Sequence, residues 1–139
     1  ASMRFKSFWL LALLSVLVVL PADAKPSAKI SKDLQTTLNA YAKAVRWNEF
    51  QLAAEMQDPR LVPDGFTEAQ EAYYADFQVS GYRAKYSQWQ DETHYSQRVE
   101  ILLIDTDTQT QRTVTDRQTW QYDPEAKRWW LTSGLPRLD

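Results

Sequence analysis

Asp116 is the residue of this chain best placed by type and spacing to do chemistry. It belongs to the run Val114-Thr115-Asp116-Arg117-Gln118-Thr119-Trp120-Gln121-Tyr122, which alternates in character. In a strand, alternate residues share a face, so Asp116 and Gln118 share one with Val114, Trp120 and Tyr122. A carboxylate on a mostly apolar face is kept from water, which raises its pKa and suits it to act as a general base. Tyr82, Tyr86 or Tyr95 can then donate a hydrogen bond to an enolate-like oxygen. The competing reading is structural: Asp116 pairs with a basic residue, Arg46 or Arg98, or lies at an open rim. His94 is the only histidine, and histidine titrates near neutrality without perturbation. Alternation places it opposite Val99 and Ile101, on the solvent side of its strand, unless a bulge intervenes.

Other chemistries are excluded by what the chain lacks. With no cysteine there is no disulfide, thiolate metal cage or cysteine nucleophile. Gly65, Gly81 and Gly134 stand alone, so no glycine-rich phosphate cradle can form. Asp105-Thr106-Asp107-Thr108 resembles a calcium loop only superficially, because the later glycine and closing glutamate are missing. It reads as a solvated hairpin turn. Neither a metal nor a cofactor is expected. Sixteen basic residues face eighteen acidic ones, for a net charge of −2. That balance, without a basic stripe, argues against nucleic-acid binding.

The elements that position these residues fall into two halves. Ile30, Leu34, Leu38, Ala42 and Val45, with Tyr41 at the three-residue offset, form one apolar helical face. Lys25–Lys29 read as a flexible lead, with Ser31 as the expected N-cap. The pattern restarts after Trp47-Asn48 with Phe50, Leu52, Ala53 and Met56, which predicts a bend or two helices. Thr67-Glu68-Ala69-Gln70 matches a capping box and predicts a short helix to about Ala75. From Phe77 the texture is β: strands are predicted over Phe77–Gln90, Thr93–Asp105, Gln111–Tyr122 and Arg128–Thr132. Short connectors make them antiparallel neighbours, and strands this long call for a bulge. Helices followed by a meander give an α+β plan, with helices covering one sheet face.

Strand parity sets the covered face. It takes Tyr95, Gln97, Val99, Ile101 and Leu103 from the second strand, and Val114, Asp116, Gln118, Trp120 and Tyr122 from the third. From the first strand it takes Tyr82, Ala84 and Tyr86. The result is apolar at one end and polar-aromatic at the other, the usual lining of a small-molecule site. Tyr82, Tyr86, Tyr95, Gln118 and Trp120 are the candidate ligand-binding residues. Trp129 and Trp130 must point to opposite faces. One packs on the helices. The other offers a surface to a dimer mate or partner, or is covered by the chain's own tail at Leu135-Pro136. Both are candidates for an interaction surface.

The N-terminus reads as an address. Arg4 and Lys6 precede an apolar run from Phe8 to Leu20, and Ala22-Asp23-Ala24 offers a small-x-small cleavage site. This is a secretory signal over residues 1–24, with Ala1 and Ser2 ahead of a natural-looking start at Met3. The run is short for a spanning helix, which needs about 20 apolar residues. Export to a bacterial periplasm is the expectation, with an inner-membrane anchor through residues 8–20 as the alternative.

The helix Ile30–Met56, the Pro/Asp/Gly turn before Thr67 and the four strands resemble the NTF2-like (cystatin-like, SnoaL-like) superfamily. The ending Arg117-Gln118-Thr119-Trp120-Gln121-Tyr122-Asp123-Pro124-Glu125-Ala126-Lys127-Arg128-Trp129-Trp130-Leu131 carries that resemblance furthest. It covers residues 30–135. The resemblance implies a curved antiparallel sheet wrapped as a cone around the helices, a ligand pocket in the cone, and dimers through the sheet face. It carries over no catalytic residue. The expected protein is therefore an exported α+β domain over residues 30–139 that binds a small apolar or aromatic ligand without catalysis. It can alternatively serve as an assembly part that docks on a protein partner or a second copy. An isomerase or dehydratase using Asp116 with a pocket tyrosine is a further reading, as is a membrane-tethered periplasmic subunit.

Overall fold

The computed structural model describes residues 27–139; residues 1–24, read above as a secretory signal or anchor, lie outside the described residues. The α+β expectation holds. Helices α1 (Ala28–Arg46), α2 (Phe50–Ala54) and α3 (Glu68–Ala75) precede strands β1 (Gln78–Asp91), β2 (His94–Asp105), β3 (Thr110–Asp123) and β4 (Arg128–Leu131). The sheet is an antiparallel meander in chain order, β1-β2-β3-β4. Among the described residues no helix is long and apolar enough to cross a membrane.

Helix α1 starts earlier than the periodicity indicated. Ser27, not Ser31, is the cap, and its hydroxyl accepts from the Ile30 amide at 3.2 Å. Ala28 and Lys29 are therefore helical rather than part of a flexible lead. The apolar stripe begins only at Ile30, so the first turn carried no periodic signal. Leu34, Leu38, Tyr41 and Val45 are buried against the sheet. Each such side chain contributes about 1.5–3 kcal/mol relative to exposure. The helix ends where Asn48 adopts a φ of 59°, a left-handed conformation that asparagine tolerates better than most residues. At α3 the capping box is complete: Thr67 Oγ1 accepts from the Gln70 amide, and Gln70 Oε1 from the Thr67 amide, both at 3.1 Å.

The inner sheet face follows the parity argument through β2 and β3. Gln97, Val99, Ile101 and Leu103 are buried from β2, as are Asp116, Gln118 and Trp120 from β3. Strand β1 departs from it. Register shifts fall between Val79 and Gly81 and between Ala84 and Tyr86. After the second shift Tyr86 lies opposite Arg98, on the outer face, and Trp89 lies opposite Tyr95, on the inner one. Each bulge adds a residue without a partner, which shifts the alternation.

The two outer edges of the sheet are treated differently. Segment Met56–Asp58 covers the edge of β4: Leu131 N donates to Met56 O at 2.7 Å, and Asp58 N to Leu131 O at 3.2 Å. The C-terminal residues fold back onto α3, with Leu135 packed against the core. Tyr74 Oη donates to Pro136 O at 2.7 Å, Leu138 N donates to Tyr73 Oη at 2.8 Å, and Arg112 bonds Leu138 O.

Candidate functional site

Gln118 is the centre of the polar group inside the core. Its side chain is 1% exposed and uses every hydrogen-bonding position it has. Trp120 Nε1, which can only donate, fixes the carbonyl end of the amide: Gln118 Oε1 accepts from Trp120 at 3.1 Å and from Gln97 Nε2 at 2.9 Å. The nitrogen end donates to Tyr82 Oη at 3.0 Å and to Asp116 Oδ2 at 2.9 Å. The strand period makes this possible, because Asp116, Gln118 and Trp120 are alternate residues of β3, with Gln97 directly opposite Gln118.

Asp116 is 8% exposed. Burial pushes its carboxyl pKa above the ordinary value, and the Gln118 amide opposes that only in part. Neither Arg46 nor Arg98 pairs with it; Arg46 Nη1 donates instead to Val79 O at 3.3 Å, and Arg98 lies on the outer face opposite Arg117. Among the described residues no basic side chain bridges Asp116. Burial also raises the phenol pKa of Tyr82 and that of Tyr41. Tyr41 belongs to this group although the sequence reading left it as plain core. Its ring meets Trp120 edge-on at 5.2 Å, its hydroxyl is buried without a partner, and the Asp116 charge acts on it. The helical stripe was the only signal available for Tyr41, and it reported burial alone.

A cavity of about 410 Å³ opens between α1 and the β1–β2 pair, walled by Leu38, Asn39, Ala42, Tyr82, Tyr95 and Gln97. Tyr82 and Tyr95 therefore sit where the sequence placed them. Gln118 and Trp120 form a second layer: Gln118 bonds Tyr82 and Gln97 from behind and does not itself line the space. Asp116 stands in that layer as well. Tyr86 also lines the cavity, as expected of a candidate ligand-binding residue, but it does so from the strand edge and not from the inner face. It is 56% exposed, and its hydroxyl donates to Gln88 at 3.0 Å, because the bulge turned it outward. Trp89 takes the inner place, edge-on to Tyr95 at 5.1 Å and to Trp129 at 5.7 Å.

The tryptophan pair splits as strand geometry requires. Trp129 is fully buried and donates to Ile30 O at 3.0 Å, so it is core and offers no interaction surface. Trp130 is half-buried on the other face. Arg128 lies 3.8 Å over its ring, and its Nε1 donates to Asp123 at 3.1 Å. His94 is on the solvent side as expected, with Nδ1 2.9 Å from Asp91 Oδ1. That bond holds the Asp91 carboxyl below its ordinary pKa. The Asp105 turn is closed by its own backbone, with Asp105 Oδ1 accepting from the Asp107 and Thr108 amides. Among the described residues no group of three or more metal-binding side chains comes together.

No protein-family model matches the chain, and no curated protein matches it significantly. Solved structures do match in fold. One is the solution structure of a SEC-C motif containing protein from Rhodopseudomonas palustris, at a TM-score of 0.54 and 15% identity, covering 88% of this chain and 86% of that one. Another is a SEC-C motif containing protein from Psychrobacter arcticus, at a TM-score of 0.56 and 8% identity, covering 88% of this chain and 67% of that one. At such identities the likeness concerns the fold alone.

Proposed function

We propose that the chain is a non-catalytic binding protein of the NTF2-like kind, exported by its N-terminal segment, which receives a small apolar or aromatic group in the cavity between α1 and β1–β2. The observation that carries this reading is the lining: aromatic and aliphatic walls from Tyr82, Tyr86, Tyr95, Leu38, Ala42 and Ala84, with Gln35, Asn39, Lys85, Ser87 and Gln97 as the orienting polar groups. This is the composition of ligand pockets in general. The Gln118 network supports it by fixing Tyr82 and Gln97 from behind, so the walls are set before a ligand arrives. Calorimetric titration with naphthol, a neutral two-ring aromatic, tests it. The parent protein is expected to bind, and Ala42→Phe, which fills the cavity from α1, is expected to lose at least tenfold in affinity. No binding by the parent, or equal binding by the variant, overturns the reading.

One observation favours an enzymatic second reading: Asp116 is buried, raised in pKa and, among the described residues, without a basic partner. As a general base for proton abstraction it would account for about 10²–10⁴-fold of the rate. Asp116→Asn would then lower turnover by that factor, while activity that survives the substitution removes this reading.

A further inference from the structure

The cavity is one end of a longer trough. A second hollow of about 570 Å³ lies between Lys43, Arg46 and Trp47 of the α1 end and Gly81, Arg83 and Leu102 of the sheet. Ala42 and Tyr82 border both hollows, so the two run together along α1 and β1. From Gln35 to Trp47 the helix side is about 18 Å long. From Gly81 to Ser87 the strand side is about 20 Å long. Those lengths match five or six extended residues.

The strand side of this trough is the open edge of the sheet. At its start the edge is satisfied by side chains that imitate a neighbouring strand: Asn48 accepts from Val79 N at 2.9 Å and donates to Phe77 O at 2.8 Å, and Arg46 donates to Val79 O. Tyr82 lies opposite Ile101 and Ala84 opposite Val99, in the same β2 parity as Leu103, the partner of Val79. The backbone groups of Tyr82 and Ala84 therefore point outward as those of Val79 do. Among the described residues nothing bonds them there. The β4 edge, by contrast, is covered by Met56–Asp58.

Charge selects the occupant. The trough is lined by Lys43, Arg46, Lys85 and Arg83, the last paired with Glu100 at 3.6 Å, and by no acidic side chain, in a chain whose net charge is negative. Lys43 and Lys85 are exposed and make no ion pair among the described residues. The two bulges bracket Tyr82–Ala84, which limits pairing to a short strand and works against a continuous sheet with a second copy. The like charges of a second copy add to that.

We propose that the trough binds an acidic, extended peptide segment of a partner protein, which pairs with the β1 edge at Tyr82 and Ala84 and sets acidic side chains against Lys43 and Lys85. An apolar side chain of the peptide enters the cavity beside Tyr95, so the proposal rests on the binding reading above and names the ligand class. Main-chain pairing supplies affinity in such strand addition, and the pockets supply selection.

Fluorescence anisotropy with a labelled hexapeptide of alternating glutamate and apolar residues, one of them phenylalanine, tests it. The acidic peptide is expected to bind at least tenfold tighter than its lysine-for-glutamate counterpart and than a version N-methylated at alternate backbone amides. Lys43→Glu with Lys85→Glu is expected to reverse the order of the acidic and basic peptides. Equal binding of the acidic and basic peptides, or undiminished binding of the N-methylated one, overturns the proposal. So does a concentration-dependent dimer in light scattering that Lys85→Glu abolishes, which assigns the trough to a second copy. Naphthol binding without peptide binding overturns the peptide assignment and leaves the cavity reading standing; failure of naphthol itself removes the cavity reading.

Discussion

Asp116 concentrates the cost of this core in one side chain. The folded state holds its proton more tightly than the unfolded chain does, because burial raises the carboxyl pKa. Stability from this group is therefore complete when the carboxyl is protonated, below the ordinary carboxylate range, and is lost as pH rises through the raised value. Asp116→Asn keeps an acceptor for Gln118 and removes the charge. Thermal melts from pH 4 to 8 are expected to show the variant above the parent at pH 7, with the gap closing toward pH 4. A variant below the parent at pH 7 would mean that the charge is compensated after all. At this scale the sequence was informative about Asp116, Gln118 and Tyr95, since β2 and β3 alternate without interruption, and about Tyr82, which lies between the two β1 bulges. It pointed to the wrong partner for Asp116, a basic residue such as Arg46 or Arg98. The partner is Gln118, two residues away in the same strand, and only the fixed amide orientation imposed by Trp120 reveals it.

At the scale of elements, Asn48 joins the helical layer to the sheet. Its left-handed backbone ends α1, and its side chain takes the first open groups of the β1 edge. Asn48→Ala forfeits both bonds and keeps the strained backbone, an expected cost of about 2–3 kcal/mol in urea unfolding. Asn48→Gly, which tolerates the positive φ, is expected to cost less than alanine. If both variants unfold with the parent, the edge bonds carry no stability. The order and bounds of the strands were legible because β-propensity, turn residues and short connectors agree along the second half of the chain. The bulges were not legible by position. A bulge is set by how two strands pair, and nothing in Ala84-Lys85-Tyr86 marks the extra residue. That is why Tyr86 was expected inside and Trp89 takes its place. Ser27 was missed for a related reason, since Ala28 and Lys29 precede the apolar stripe that marks the helix.

Across the described residues, the first turn of α1 and the C-terminal segment close the core. Leu138 is fully buried, and its backbone is held by Tyr73 and Arg112. Leu138→Ala is expected to cost about 2–4 kcal/mol; a loss below 1 kcal/mol in denaturant titration would show that the C-terminal segment is detached in solution. At the start of α1, Trp129 donates to Ile30 O across 99 positions of sequence. The sheet itself is a meander, each strand bonded to the one before it, so it can zip locally as it is made. The helix cannot. Synthesis delivers α1 first, with Leu34, Leu38, Tyr41 and Val45 facing water, and the strands that bury them come last. Through most of its own translation the chain must carry an uncovered apolar stripe, the kind of surface that aggregates unless a chaperone holds it.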